Sequence, residues 1–599
     1  MTPNNQLIQL YKRIISHFNN DIFLIGLILI LFVFTLLKIN YLTLGCYWDE
    51  TWPFSYAIFQ LHEHWPLILP NTIDPYITRG HPLLFHFLVS TWMKIFGDSL
   101  VVAKTFPLLL SVLTLITIYK FGEIFFSKRA GLLAATLLAV QSVFFTQSTL
   151  LLLEVQLTLF TLLTFFFYIK KRHSLYILFG SFAILTKETG ITVIAAIGMW
   201  HLTNYLATIK SSKFKPFFIE SLWIIAPVGV AFLYFLLQKI LNGWFLFPIH
   251  VGFMSFDLKI ILDKFEYGLY LTFSFQDKKL ISIIAITALA IAVLFRSLTL
   301  TNKQWQILHL MFWFLFLFNI FGALNFQSDR YYLPAIAIFL FIASTLVSRI
   351  AVKNSIWVIF SFAMIIPSFV YLRYAKGSSD TIDGYKNVVK VHQKTIDYLL
   401  QNKLQDKNIY THFILREAMK ATYPGYIEKK QDCFRNFQYE FDPLTTDLYI
   451  FSSIEYHLKV DKIRMNNPMK ILAQFQEGDA FVIIFQPLYK EILKNKKKEY
   501  IEYFKKAIKN DPEWYSRIRK SSLTEKQDIE SILIRDAEKY AIQKIIDTIK
   551  HISIEKQRQD YLITIKQNAK LLSALVDTAI SQQIPIDTVL QQYARKTLK

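Results

Sequence analysis

The sequence predicts a mostly α-helical protein: a polytopic helical membrane domain of about eleven spans, a small α/β soluble domain, and a helical C-terminal tail. Three observations predict this architecture. Apolar runs long enough to cross a bilayer fill the first 373 of the 599 residues. Charged residues make up only 18% of the chain, which is below the usual share of a soluble globular protein. After Arg373 the composition changes to short strand-like segments and Lys-rich helical ones.

Each candidate span is a run of apolar residues with few charges. The spans cover residues 22–38, 100–119, 131–149, 151–169, 174–186, 191–208, 217–238, 280–295, 305–323, 331–349 and 355–373. Because residues 131–169 are almost continuously hydrophobic and 174–186 is short, both stretches are predicted to form tight helical hairpins. A polar tail precedes residues 22–38, which are therefore predicted to be an uncleaved span rather than a signal peptide.

Basic residues in the short loops indicate how the protein is inserted. When eleven spans are counted, the groups of Lys and Arg in these loops fall on one side of the membrane. They include Lys128-Arg129 and Lys170-Lys171-Arg172. Since cytoplasmic loops carry an excess of Lys and Arg, this side is predicted to be cytoplasmic, in the cytoplasmic (inner) membrane. The N-terminus is then cytoplasmic, and the C-terminal domain is extracytoplasmic.

Three domains are predicted along the chain. Residues 1–373 form the membrane domain, whose first outer loop, 39–99, is too long for a plain connector. Within that loop, residues 54–64 place apolar groups at helical spacing and predict an amphipathic helix in the interface. Short apolar strands separated by longer connectors predict an extracytoplasmic α/β domain over 374–490. Residues 491–599 are predicted to form a Lys-rich helical region.

Charge and local signals in the C-terminal part narrow the range of partners. The net charge of +21 includes an excess of basic residues here, which favours contact with anionic lipid headgroups. No basic-aromatic motif and no Gly-rich phosphate loop is present, so neither nucleic-acid nor nucleotide binding is predicted. Asp511-Pro512 predicts a helix start. Ser522-Leu523-Thr524-Glu525 matches a capping box and predicts another.

Ionisable residues at the outer ends of the spans predict a site. Asp49 and Glu50 are adjacent acids at the edge of the first span, and Glu154 lies within an apolar block. Such groups are costly near a bilayer unless something uses them. Lys187 and Arg330 fall on the same outer side, where the positive-inside bias disfavours cations. The alternative is that the acids are solvated loop residues and that the cations only reach towards the interface.

Five short motifs follow one another through the membrane domain. In chain order they are Trp48-Asp49-Glu50; Arg79-Gly80-His81-Pro82-Leu83-Leu84-Phe85 before Ile95-Phe96-Gly97; Phe126-Ser127-Lys128-Arg129-Ala130-Gly131; Leu185-Thr186-Lys187-Glu188-Thr189-Gly190; and Arg330-Tyr331-Tyr332-Leu333-Pro334. Together they resemble the GT-C superfamily of polyprenyl-phosphate-dependent glycosyltransferases. The branch that they resemble holds protein O-mannosyltransferases and lipid A aminoarabinose transferases. The resemblance covers roughly residues 20–370.

The resemblance implies an inverting transfer of a sugar from a lipid-phosphate carrier to an acceptor at the outer membrane face. It places the general base on Asp49 with Glu50 beside it, a second acid on Glu154, and donor-phosphate binding on Lys187 and Arg330. This chain departs from the family pattern at Glu154, where an Asp after an upstream Arg is more common. It departs again next to Lys187, where Glu188 replaces a common Gly.

The chemistry of the reaction calls for these residue types. A carboxylate near the acceptor hydroxyl can take its proton, and cations stabilise the leaving phosphate, which Arg binds in bidentate fashion. Further residues are predicted to line the site: Trp48, Arg79, His81, Glu188 and Tyr331. No cofactor is certain, and a divalent metal stays open. The predicted partners are the lipid-linked sugar donor, a glycan, lipid or protein acceptor, and the bilayer.

Three other functions compete with this interpretation. A transporter or flippase would place ionisable or helix-breaking residues near the middle of its spans, whereas here they gather at the ends. A ligase or polymerase would move whole lipid-linked oligosaccharides rather than single sugars. A non-catalytic assembly protein would use the tail to bind partners.

Overall fold

The structure is a computed structural model that describes residues 21–207, 214–294, 300–350, 354–442, 445–455 and 469–545, together with 547, 548 and 590. The chain divides into two compact units. One comprises Met1–Gln393 with Glu417–Gln431, and the other comprises Lys394–Arg416 with Asp432–Lys599. We call the first the membrane unit and the second the sheet unit.

The membrane unit is helical, and the described residues of each of the eleven predicted apolar segments are mostly in helix. Sixteen helices precede the connection to the sheet unit within the described residues. They are α1 (Ile22–Ile39), α2 (Phe54–Glu63), α3 (Leu84–Phe96), α4 (Leu100–Phe125), α5 (Lys128–Val140), α6 (Ser142–Gln147), α7 (Glu154–Ile169), α8 (His173–Thr186), α9 (Ile191–Ala207), α10 (Phe214–Asn242), α11 (Pro248–Gly252), α12 (Leu258–Phe273), α13 (Lys278–Leu294), α14 (Asn302–Leu324), α15 (Leu333–Ile350) and α16 (Asn354–Tyr374).

Among the described helices, six are long and apolar enough to cross a membrane. They lie at Ile22–Ile39, Leu100–Phe125, Phe214–Asn242, Asn302–Leu324, Asp329–Arg349 and Ile356–Tyr374. Three shorter apolar helices, α3, α7 and α8, lie among them. The protein is therefore a multi-pass membrane protein. The predicted span 131–149 is divided between α5 and α6, which meet at Gln141.

Capping side chains explain where several of these helices begin. Asp21 accepts hydrogen bonds from the first backbone amides of α1, and Ser99 and Ser127 do the same for α4 and α5. Thr301 and Gln304 form a capping box at the start of α14. Glycines then let α4 and α5 pack closely, because a Cβ on Gly122 would lie 2.4 Å from the Cα of Gly131. Helix α4 packs on α5, and α7 packs on α8 as the hairpin predicted around 174–186 requires.

Three helices, α3, α11 and α12, lie between the predicted spans and were not predicted. The first outer loop contains the predicted amphipathic helix, which the structure has as α2. It also contains α3, which packs against α2 and α4. The other two, α11 and α12, lie in the stretch 239–279, where α12 packs against α14 and α15.

The sheet unit contains a five-stranded mixed sheet in the order β2-β1-β3-β5-β4. Its elements follow helix α17 (Tyr385–Gln401), which begins in the membrane unit. They are β1 (Ile409–Thr411), the first half of α18 (Phe413–Lys420), β2 (Phe437–Gln438), β3 (Leu448–Ser452), β4 (Met469–Glu477) and β5 (Ala480–Pro487). Strand β1 runs parallel to β2 and β3, while β5 runs antiparallel to β3 and β4. The predicted small α/β domain is therefore present.

Register in this sheet brings aromatic residues together in one core. Tyr449 lies opposite Phe485, and Phe451 lies opposite Ile483. These four side chains are buried and form one cluster. Strand β3 is the central strand of the sheet. It is buried along its whole length.

The Lys-rich region is helical where it is described, with α19 (Tyr489–Asn510), α20 (Pro512–Glu525) and further helical residues 529–545. Asp511 caps α20 as predicted, and Pro512 is its first residue. The predicted capping box at 522–525 is wrong, because these residues end α20 instead of starting a helix. Asp528 accepts hydrogen bonds from the amides of Glu530 and Ser531 and caps the next helix. Most residues after 548 lie outside the described part.

Candidate active site

Arg330 binds three carboxylates that come from widely separated parts of the membrane unit. Its Nη2 donates to Oδ2 of Asp49, and its Nη1 donates to Oδ2 of Asp380. Its Nε lies 3.6 Å from Oε1 of Glu154. The Arg330 side chain is only 4% exposed. Because the guanidinium carries donors on three nitrogen atoms in a planar fork, this one residue joins all three acids.

Lys187 extends the same cluster through Glu154. Its Nζ lies 3.0 Å from Oε1 of Glu154 and 3.3 Å from the centre of the Tyr331 ring. Oε1 of Glu154 therefore faces both cations, while its Oε2 has no hydrogen-bond partner among the described residues. The Arg330 guanidinium also lies near the Tyr331 ring, at 5.2 Å. Two buried cations thus stand on either side of one carboxylate and share one aromatic ring.

Asp49 reaches this cluster because of a tight turn. Residues Trp48–Glu50 form a short 3-10 helix, in which the Glu50 carboxylate accepts from the backbone amide of Tyr47. Adjacent residues on such a turn point in different directions, so Asp49 faces Arg330 while Glu50 is enclosed. Arg79, which is partly exposed, approaches Oδ1 of Asp49 at 3.5 Å from the other side.

Glu50 is bound by a different set of groups. Its carboxylate is fully buried and lies 3.2 Å from Nζ of Lys104. It also accepts from the backbone amides of Tyr47 and Leu151, each at 3.0 Å. Burial raises the pKa of Glu50, while Lys104 and the two amides oppose that effect. Lys104 in turn donates to the backbone oxygens of Leu44 and Gly45. These contacts fasten the Asp49 turn to α4 and to the segment before α7.

The other site residues lie at the ends of helices. Glu154 is the first residue of α7, Lys187 follows the last residue of α8, and Arg330 lies in a 3-10 turn before α15. After Lys187 the chain folds back closely on α8, where a Cβ on Gly190 would lie 2.3 Å from the backbone of Ala183. Only glycine permits this approach. The ionisable groups are therefore held by helix ends and not by the middle of spans.

A second polar group within the membrane unit consists of His81, Glu188 and His250. Nδ1 of His81 lies 2.9 Å from Oε2 of Glu188, and the two imidazole rings are 4.9 Å apart. Burial alone would raise the pKa of Glu188. The neighbouring His81 lowers this pKa, and with the smaller contribution of His250 the net shift is downward. One donor atom from each residue lies within 4.8 Å of the others. Imidazole and carboxylate are ligands that Zn²⁺ accepts, so these three residues could hold a divalent ion.

The structure brings together most of the residues that the sequence predicted. Asp49, Glu154, Lys187 and Arg330 form the main cluster, which Arg79 and Tyr331 border. His81 and Glu188 belong to the second group, and Glu50 has the separate partners described above. The indole of Trp48, partly exposed, packs beside the ring of Tyr47 at 6.2 Å.

Two residues at these sites escaped the sequence analysis. Asp380 lies 50 residues after Arg330 in an irregular connection, and no motif or periodicity surrounds it. His250 lies in the short helix α11, between two predicted spans, and its ring meets that of His81 only in the folded chain. The only sequence signal for His250 was that a histidine stands between two predicted spans.

Part of the chain matches a known protein family. Residues 80–244 match the family described as dolichyl-phosphate-mannose-protein mannosyltransferase. The predicted resemblance to the GT-C glycosyltransferases is confirmed. The matched region contains α3 to α10, and with them His81, Glu154, Lys187 and Glu188, whereas Asp49 and Arg330 lie outside it. The match supports a glycosyltransferase activity.

Solved structures give a more distant comparison. ArnT from Cupriavidus metallidurans in the apo state is 12% identical, with a TM-score of 0.49, over 76% of this chain and 97% of that chain. The same protein bound to undecaprenyl phosphate gives a TM-score of 0.45 at the same identity and coverage. No curated protein sequence matches the chain significantly.

Proposed function

We propose that this protein is an inverting glycosyltransferase that moves a sugar from a polyprenyl-phosphate carrier to an acceptor at the outer face of the cytoplasmic membrane. Asp49 is its general base. One observation carries the proposal: Arg330 joins Asp49 to Glu154, and Glu154 joins Lys187, although these residues come from four separate parts of the membrane unit. A base and two cations therefore stand within reach of one bound molecule.

The two cations suit the phosphate of the donor. Breaking the sugar–phosphate bond leaves a polyprenyl phosphate anion, and the transition state already carries part of that charge. Arg330 offers a planar fork of donors that matches phosphate oxygens, and Lys187 adds a compact charge. Both cations are buried, and since electrostatic interactions are stronger away from water, their stabilisation of the leaving group is enhanced.

Asp49 suits the role of base because of its position. Its side chain is 16% exposed, compared with 13% for Asp380 and 3% for Glu154. An acceptor hydroxyl that enters from solvent would reach it before Glu154. Removing the hydroxyl proton in the transition state raises the rate by about 10²–10⁴.

Glu154 is assigned to positioning rather than to proton transfer. It is buried, and its Oε1 contacts both Lys187 and Arg330. Its negative charge holds the two cations at a fixed spacing and limits their mutual repulsion. Tyr331 supports the same arrangement from its ring face. Glu50 is assigned to holding the Asp49 turn in place.

A transport function fits the structure less well. A transporter needs ionisable groups or broken helices near the middle of its spans, whereas Glu154, Lys187 and Arg330 all lie at helix ends. A ligase that moves whole oligosaccharides would use the same phosphate chemistry. Supplying donors with one sugar or with several sugars separates that alternative from single-sugar transfer.

The test is transfer by the purified full chain in lipid nanodiscs. Polyprenyl-phosphate sugars are supplied with extracted envelope glycolipids and proteins, and the released polyprenyl phosphate is quantified. Wild type is expected to release it in an acceptor-dependent way, and Asp49→Asn is expected to lose that release. Asp98→Asn is the matched control, since Asp98 is an exposed acid of the same outer loop whose one ion pair within the described residues is with His62. Full activity of Asp49→Asn would refute the base assignment.

The proposed orientation is tested separately. With the N-terminus in the cytoplasm and the C-terminal domain outside, a reporter fused after Lys599 is expected to be active only outside the cytoplasm. A cytoplasmic signal would contradict an outer-face reaction.

A further inference from the structure

The connection between α16 and α17 lies against the Arg330 cluster. Residues 375–384 contain no regular helix or strand, and we call them the strap. Three side chains of the membrane unit hold its backbone. Tyr47 donates to the carbonyl oxygen of Ser378, Gln147 donates to that of Asp380 at 2.6 Å, and Ser142 donates to that of Thr381 at 2.7 Å. The strap thereby places the Asp380 carboxylate on Arg330.

Each nitrogen of the Arg330 guanidinium faces a protein carboxylate in this arrangement. Nη1 donates to Asp380, Nη2 donates to Asp49, and Nε faces Glu154. A phosphate group needs two of these donors for bidentate binding. Its charge would also meet three carboxylates, which only Arg330 and Lys187 balance at the centre of the cluster. One carboxylate must therefore leave before a lipid phosphate can bind.

Asp380 is the carboxylate that can leave most easily. Glu154 starts a long helix and is also bound by Lys187. The Asp49 turn is fixed through the fully buried Glu50. Asp380 instead lies in the strap, outside any helix or strand. Burial raises its pKa, and the nearby acids Asp49 and Glu154 add to that effect although Arg330 opposes it.

We propose that Asp380 occupies the place on Arg330 that the donor phosphate takes, and that donor binding displaces Asp380 together with the strap. The inference rests on the proposed function and adds the means by which the donor gains access. In the absence of donor, Asp380 neutralises a buried arginine whose charge would otherwise be costly. Asp380 is thus a positioning residue that competes with the donor and sets its affinity.

Binding of undecaprenyl phosphate, without a sugar, tests this competition in the purified full chain. Asp380→Asn keeps the shape of the side chain and removes its charge. Since the lipid phosphate no longer competes with a charged acceptor for Arg330, the dissociation constant of Asp380→Asn is expected to fall about tenfold or more. Asp98→Asn is the control, because Asp98 is an exposed acid of the first outer loop, pairs with His62 and holds no part of the strap among the described residues. Its affinity is expected to equal that of wild type.

The outcomes separate this inference from the proposed function. If wild type binds and Asp380→Asn binds equally or more weakly, Asp380 supports Arg330 without competing, and the inference is refuted while the function stands. If neither protein binds the lipid phosphate, both the inference and the proposed function fail.

Hydrogen exchange of the wild-type chain gives a second test that needs no variant. When undecaprenyl phosphate binds, backbone amides of residues 376–383 are expected to exchange faster, because displacement exposes the strap to solvent. Amides in the middle of α17 (Tyr385–Gln401) are expected to stay unchanged and serve as the internal control. Unchanged or slower exchange in the strap on a chain that binds the lipid would overturn the displacement.

Discussion

Replacing Lys104 with methionine tests whether Glu50 holds the Asp49 turn in place. Methionine keeps most of the apolar stem of lysine and removes the ammonium group. The variant leaves the fully buried Glu50 carboxylate with two backbone amides but no cation. The backbone oxygens of Leu44 and Gly45 also lose their donor.

The expected cost follows from the distance and burial of the pair. Nζ of Lys104 lies 3.2 Å from Oε1 of Glu50, and both side chains are fully buried. At an effective dielectric constant of about 20, two unit charges at this separation interact by about 5 kcal/mol. Removing one partner of a buried ion pair costs about 3–5 kcal/mol. We expect Lys104→Met to lower the free energy of unfolding by that amount at neutral pH.

The pH dependence gives this prediction a definite sign. Burial already raises the pKa of Glu50 above its usual value, and Lys104 opposes the rise. Without Lys104, the pKa of Glu50 in the folded protein should rise further above its value in the unfolded chain. Stability then falls as pH rises from the unfolded value through the raised folded one. The loss caused by Lys104→Met should therefore shrink at acid pH, where Glu50 is neutral. At neutral pH, the double variant Lys104→Met with Glu50→Gln should recover part of the free energy of unfolding that Lys104→Met loses.

Urea unfolding in mixed micelles, followed by tryptophan fluorescence, measures the effect. Lys120→Met is the matched control, because Lys120 lies on the same helix α4 but is 47% exposed in its pair with Glu123. Exposed pairs contribute about 0–1 kcal/mol. A loss below about 1 kcal/mol in Lys104→Met would refute the structural role of Glu50. A second outcome would also refute that role. If Glu50→Gln lowers the transfer rate per folded molecule about 10²-fold or more, Glu50 acts as a base and not as a structural residue.

Three further predictions concern the cluster and its neighbour. Lys187→Gln should lower kcat/KM for the donor about 10–100-fold, since it removes one charged contact to phosphate; an unchanged value would contradict that role. Arg330→Lys keeps the charge but loses the fork, so it should weaken binding of undecaprenyl phosphate about tenfold or more, and affinity equal to wild type would contradict bidentate binding. Zn²⁺ titrated into metal-free protein should saturate near one ion per chain, and His250→Asn should weaken that binding about tenfold or more. Equal affinity in His250→Asn would exclude the His81 group as the metal site.

The membrane architecture could be predicted because apolar length is a local property. Each long apolar run became helix, and polar caps such as Ser99 and Ser127 mark where helices start. Strand β4 was not predicted, because its sequence mixes polar and apolar residues and many of them are exposed. The two-residue strand β2 is too short to carry any periodicity. The capping box at 522–525 misled because the same residue pattern also occurs inside a helix.

The site was predictable only as far as each residue carried its own signal. Glu154 is an acid in an apolar block, and Lys187 and Arg330 are cations at span ends, so each stood out alone. Asp380 carried no such signal, since it is one acid in a polar connection and its position on Arg330 depends on the packing of the strap. Adjacent Asp49 and Glu50 looked equivalent, and only the geometry of the turn sends them to different partners.

The central claim is that Asp49 removes the proton from the acceptor. Single-turnover transfer with donor already bound measures that step separately from donor binding. The account predicts that Asp49→Asn slows the single-turnover rate about 10²–10⁴-fold while the dissociation constant for the donor changes only a few-fold. A variant that transfers at the wild-type rate once the donor is bound would contradict it.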